Sequence, residues 1–259
     1  MRKKPFWMIG VAVYVTYLIV FVGTWAVVGA DYTNLVGHEV VFRSLDLPLI
    51  LGAIVLVPAI SWLGWWKAIL FEQRGAGPAW TMWAVLAVMA CMIAIGLVAT
   101  DWSALTADHI ALIALAGILV GFNEEALTRG ILVVSLRGSL RSEAWVCVLS
   151  SFLFGLLHLP NALFGIGLAG GVVQVAFATL AGLGFYALRR VSGTILVPMV
   201  MHGAWDFAAF TRQASGTDVP IVAPIFQFGS YVVALVAAII LLRAGRIRQV
   251  RGDQLLSEE

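Results

Sequence analysis

Six ionisable residues set deep in apolar sequence are the ones able to do chemistry: Glu124, Glu125, Arg129, His158, His202 and Asp206. They fall in three short stretches, FNEEALTRG (122–130), SFLFGLLHLPN (151–161) and VPMVMHGAWDF (197–207). In the first, residues four apart share a helix face, so Glu125 and Arg129 pair, the guanidinium fork gripping the carboxylate. Glu124 is rotated away by roughly a quarter turn and is free to point into a cavity. That division predicts one working carboxylate beside one structural ion pair. The plain alternative is a buried pair that only fixes helix packing. In the second stretch Phe154 and His158 share a face, Gly155 lets a neighbouring helix approach, and Pro160 ends the helix. In the third, His202 and Asp206 are again four apart and reach the same space.

Each stretch alone has a structural explanation. Together, a carboxylate, two imidazoles and an Asp on three helices make a convergent site. A Glu with a His beside it can hold and deprotonate a water. The second His and the Asp can then position or stabilise a tetrahedral oxyanion. Asp206 donates a hydrogen bond only when protonated; otherwise it acts through His202. Zinc is the alternative, held by Glu124, His158 and His202 with Asp206 in reach, but no HExxH pair supports it, and the expectation is a site without a cofactor. Ser150 and Ser151 lack the GxSxG frame of a serine nucleophile. His38 and His109 fall in connections and are read as structural. No phosphate loop, zinc finger or basic-aromatic surface is present, so no nucleic-acid partner is expected.

These residues need a scaffold that tolerates charge in hydrocarbon. The chain has 259 residues, is 61% hydrophobic and only 12% charged, with a mean hydropathy of +0.98. Soluble domains carry roughly twice that share of charge, so the prediction is an all-α polytopic membrane protein. A bilayer-crossing helix needs about 20 mostly apolar residues. Eight stretches qualify: 6–29, 47–70, 79–100, 109–135, 143–159, 169–188, 193–211 and 219–243. The first is too long for the h-region of a signal peptide, at roughly 7–15 residues, and reads as an uncleaved span. Trp residues fit the bilayer interfaces and Gly residues close helix packing. Cys91 and Cys147 read as small buried residues.

With the N-terminus in the cytoplasm, thirteen Lys and Arg fall on the inner side and two, Arg43 and Arg212, on the outer; Arg129 stays inside a span. That bias supports eight spans with both ends cytoplasmic. Residues 1–259 form one membrane-embedded domain with its motif-bearing core at about 105–212 and a basic cytoplasmic tail at 244–259. Because EEALTR lies nearer the Arg137 end of its span, the catalytic cavity is expected to open toward the cytoplasmic half.

The three stretches resemble the motifs of the CAAX protease and bacteriocin-processing (Abi) family of intramembrane endopeptidases. EEALTRG is similar to its EExxxR motif, FLFGLLH to FxxxH and HGAWD to HxxxN/D, in the same order, over roughly residues 110–210. The resemblance implies Glu124 as catalytic glutamate with His158 as its partner on water, and His202 with Asp206 as the oxyanion-stabilising pair. Glu125, Arg129 and Phe154 would support the site. Asp206 stands where many relatives have Asn. The implied partners are the lipid bilayer and a membrane-bound or lipidated peptide substrate, in a bacterial plasma membrane. Two rivals stand beside this reading. One is a non-catalytic scaffold or immunity protein of the same fold. The other is a proton-coupled transporter, disfavoured because the intramembrane ionisable residues all lie in the second half. The sequence carries no signal for oligomeric state.

Overall fold

The computed structural model describes residues 3–74 and 77–244. Arg2, Arg246, Arg248 and Arg251, counted above on the inner side, and the tail from 245 lie outside the described residues. All regular structure among the described residues is helical, apart from one isolated bridge between Phe71 and Thr194. Eight long helices follow in chain order: α1 Trp7–Val28, α2 Phe42–Leu63, α3 Ala79–Ala99, α4 Ala107–Arg137, α5 Glu143–Leu156, α6 Gly167–Ser192, α7 Leu196–Ala214 and α8 Ala223–Arg243. Among the described residues seven segments are long and apolar enough to cross a membrane: six of these helices, and the run Glu143–Phe164 that contains α5. The eighth helix, α7, carries His202, Asp206 and Arg212, and that polar content separates it from the others. The chain is an integral multi-pass membrane protein.

Helix ends follow local chemistry. Left-handed glycines stop α1 at Gly29, α2 at Gly64 and α6 at Gly193, where a Cβ would be strained. Ser142 caps α5 by accepting from the Trp145 amide, the role hydroxyls play at a helix start. Pro160 does not itself end α5. The α-helix stops at Leu156, and Pro160 sits at the start of a 3₁₀ helix, Leu159–Phe164, with His158 as its N-cap. Within α4 the α-helix runs only to Glu125 and gives way to a π-helix over Ala126–Leu132. A π segment bonds i to i+5, and such insertions gather at functional sites.

Helices α4 and α7 pack closely because small residues face one another. A Cβ on Gly121 would lie 2.3 Å from the Met199 carbonyl oxygen, and one on Gly117 2.8 Å from that of Gly203. Helices α5 and α6 do the same at Gly155, where a Cβ would meet Thr179 Oγ1 at 2.2 Å. These two contacts carry the FxxxH and HxxxD stretches onto α4 and its neighbours.

Three expectations are corrected. His109 lies in the first turn of α4, buried, with its Nε2 2.8 Å from the Val36 carbonyl oxygen. Cys91 is exposed and only Cys147 is buried. Asp46, in α2, is fully buried, so ionisable residues inside the spans are not confined to the second half.

Candidate active site

Arg129 Nη1 donates to Glu125 Oε1 at 3.0 Å, and both side chains are fully buried. The guanidinium is sandwiched by aromatic faces, 4.0 Å from the Phe154 ring and 5.1 Å from Phe185, a favourable seat for a desolvated cation. Its Nη1 also donates to Thr128 Oγ1 at 2.7 Å. The predicted i,i+4 pair therefore exists, and Phe154 acts on it as well as on His158.

Glu125 Oε1 accepts a second bond, from His202 Nδ1 at 3.0 Å. Nδ1 therefore carries the hydrogen and Nε2 faces the site. Nε2 stands 3.5 Å from Asp206 Oδ2 and 4.0 Å from Glu124 Oε2. The imidazole is held edge-on to Phe154 and stacked on Phe185, with centroids 5.5 and 4.6 Å away. Burying a polar ring between aromatics fixes its plane, and the carboxylate fixes its tautomer.

His158 Nδ1 donates to the Phe154 carbonyl at 3.2 Å. A carbonyl can only accept, so the hydrogen is on Nδ1 and the neutral ring presents an accepting Nε2. The imidazole packs edge-on to the Phe154 ring at 5.3 Å. Glu124 Oε2 is buried and accepts no hydrogen bond from the protein, and the same holds for Glu125 Oε2, but of the two only Glu124 lines a cavity. A buried carboxylate oxygen without a donor is costly in a purely structural role.

Glu124, His158 and Asp206 wall one cavity of about 370 Å³, together with residues of α1, α2 and the 29–41 connection. A second, of about 520 Å³, is walled by Phe154, His158, Phe185, His202 and Asp206 with largely apolar residues of α6 and with Gln227 and Tyr231 of α8. Five residues wall both: Tyr32, His158, Ile166, Gln174 and Asp206. The two cavities thus meet at the predicted site.

The cavities lie toward the end of the bundle away from Arg137. The walls come from Tyr32, Thr33, Asn161, Ile166, Gln213 and Gln227, all at the end of the bundle that holds the 1–2, 5–6 and 7–8 connections. Arg137 lies at the other end, which is filled by a buried ionic cluster. The cavity lies to one side of Glu124 rather than beyond Arg137.

That cluster was missed by the sequence reading. Arg137, Arg189 and Arg190, taken there as inner-loop charges, are buried and bonded to Glu72 and Glu143. Also missed were Tyr32, Asn161 and Gln174. A Gln and an Asn beside the motif-bearing helices were visible signals; Tyr32 sits in a connection and carried none. Among the described residues no group of three or more His, Cys, Asp or Glu side chains is arranged to hold a metal ion.

Residues 106–208 match a family described as type II CAAX prenyl endopeptidase Rce1-like. No curated protein and no solved structure matches.

Proposed function

We propose, from the premise that residues 106–208 match the type II CAAX prenyl endopeptidase Rce1-like family, that this chain hydrolyses a peptide bond of a membrane-bound or lipid-modified peptide with a water activated by Glu124 and His158. The observation that carries the proposal is the pairing of two acceptors on one cavity. Glu124 offers a carboxylate oxygen free of protein donors, and His158 offers Nε2. A water has two hydrogens, and holding both aims a lone pair outward at a carbonyl carbon. On attack the water's proton passes to Glu124, which then delivers it to the departing amine. The new C–O bond replaces the C–N bond, and nothing is oxidised or reduced.

In this reading His202 faces the oxyanion through Nε2 as an imidazolium, a role supported by its contacts with Glu125 at Nδ1 and with Asp206 beside Nε2. Glu125 and Arg129 hold that ring and do not touch the reacting atoms. In this reading Asp206 works through His202 as an acceptor. The mechanism needs no metal. The basic residues favour cytoplasmic termini, which turns the cavity toward the opposite face.

The test uses wild-type, Glu124→Gln and His158→Ala proteins in liposomes. The probe is a farnesylated Cys-aliphatic-aliphatic-Xaa peptide with a fluorophore and quencher flanking the bond after Cys. In parallel, new peptide termini are mapped in native membranes from the source. Cleavage that requires both residues and survives chelation is the expected result. Full activity in Glu124→Gln sinks the mechanism, and activity restored by zinc after chelation replaces it with a metal-dependent one.

A further inference from the structure

We infer that Tyr32, which lies outside the family-matched segment, donates the second hydrogen bond to the developing oxyanion; this rests on the reading above. Oxyanion sites work by fixed donors aimed at where charge develops. His202 supplies one through Nε2. Asp206, as an acceptor beside that nitrogen, supplies none. Tyr32 lies in the wall common to both cavities, alongside His158 and Asp206.

The direction of its hydrogen is fixed by its neighbours. Asn161 Nδ2 donates to Gln174 Oε1 at 2.9 Å, and Gln174 Nε2 donates to the Tyr32 oxygen at 2.5 Å. The chain of amides runs one way and fills an acceptor position on the phenol oxygen. The phenolic hydrogen is left to donate into the cavity. Burial pushes the Tyr32 phenol up from its ordinary value, and Asp206 and Glu124 push the same way, so the hydroxyl keeps its proton.

The backbone under Tyr32 is secured. Asp31 Oδ1 accepts from the Thr33 amide at 2.9 Å and from its hydroxyl at 2.7 Å, closing a 3₁₀ turn over Tyr32–Asn34. The Tyr32 ring meets Trp25 edge-on at 6.1 Å, and Trp25 Nε1 donates to the Ser44 carbonyl at 2.7 Å. Tyr32 would be a catalytic residue by touching the substrate oxygen; Gln174 and Asn161 are positioning residues that act through it.

Tyr32→Phe keeps the ring and removes the donor. The expected result, in the liposome assay, is a fall in kcat of roughly 100-fold with KM unchanged, on the scale of losing one oxyanion donor. Gln174→Glu reverses the relay: its carboxylate accepts from Tyr32 and takes the hydrogen away from the cavity. It should lower kcat comparably, and the double variant should be no slower than Tyr32→Phe alone. Wild-type kcat in Tyr32→Phe, a loss confined to KM, or additive losses in the double variant each overturn the assignment. Unchanged thermal midpoints for both variants separate the effect from unfolding. An active Glu124→Gln, or a wild type that cleaves neither the probe nor any native membrane protein, brings down the underlying reading and this inference with it.

Discussion

The bundle holds two buried ionic clusters, one at each end of α4's polar stretch, and their carboxylates are treated differently. At the Arg137 end, Glu72 Oε1 accepts from Arg190 at 2.8 Å and Oε2 from Arg137 and Arg189. Both oxygens of Glu143 accept from Arg137, and Tyr186 adds a further bond. At the other, Glu124 Oε2 and Glu125 Oε2 accept nothing, while both cavities press against the cluster. Buried charge is tolerable when its lone pairs are filled and expensive when they are not. The filled cluster ties α4, α5 and α6 to the 71–78 connection. The unfilled one retains acceptor capacity for something that enters, which is what a hydrolytic site requires.

The sharpest way to break this contrast is to neutralise one carboxylate in each cluster. Glu124→Gln should cut activity about 1,000-fold, a loss in the range of general acid–base catalysis, with a thermal midpoint in detergent close to wild type. Glu72→Gln should do the reverse. Removing it leaves three guanidiniums facing Glu143 alone, and breaking a buried pair this way costs about 3–5 kcal/mol. A collapsed midpoint with normal activity per folded molecule is the expected outcome. If Glu72→Gln is stable and inactive, the two clusters have been assigned the wrong way round.

Acid sharpens the same point. Burial alone would push the Glu72 carboxyl up, but the guanidiniums of Arg137, Arg189 and Arg190 outweigh it and hold it well below the usual carboxylate range. A depressed carboxyl contributes stability above its unfolded value, near about 4.3, and that contribution drains away as pH falls below it. The wild-type midpoint should therefore drop on acidification through pH 4, and Glu72→Gln should lack most of that drop. Equal slopes for the two proteins would deny the cluster its structural role.

A smaller effect is expected where no charge is involved. Gly121→Ala places a methyl against the Met199 carbonyl at the α4–α7 contact. Overpacking of this kind costs about 1–3 kcal/mol, and here it also pushes His202 away from Glu125. Activity should fall together with the midpoint, as neither carboxylate substitution does.

Much of this was legible in the sequence. The all-α membrane architecture and the approximate helix bounds follow from apolar run length, though among the described residues seven segments rather than eight qualify as spans, and the four-residue spacings correctly paired Glu125 with Arg129 and His202 with Asp206. What was not legible has a common physical cause. Arg137, Arg189 and Arg190 sit at the ends of apolar runs, where a solvated snorkelling Arg and a buried paired one look alike. Only the fold shows Glu72, more than sixty residues away in the chain, folded back among them. The π segment at Ala126–Leu132 and the Tyr32–Gln174–Asn161 relay likewise depend on contacts between distant segments. Hydropathy sorted charges by position along a span; it could not say which of them had partners.

The exposed pair His38–Asp108 supplies the last test, because proximity there is as good as in either buried cluster. Nε2 and Oδ2 are 2.6 Å apart, but the side chains are 49% and 68% exposed. Water competes for both groups, and salt screens what remains. Exposed pairs are worth about 0.2–1 kcal/mol, so His38→Ala should move the thermal midpoint by no more than a few degrees and leave activity unchanged. That outcome, beside a large loss for Glu72→Gln, would show that burial and filled lone pairs, rather than distance, decide what a charge contributes in this bundle. A large loss for His38→Ala would mean that the 29–41 connection is held chiefly from its exposed side. The seat of Tyr32 would then depend on His38 as much as on Trp25.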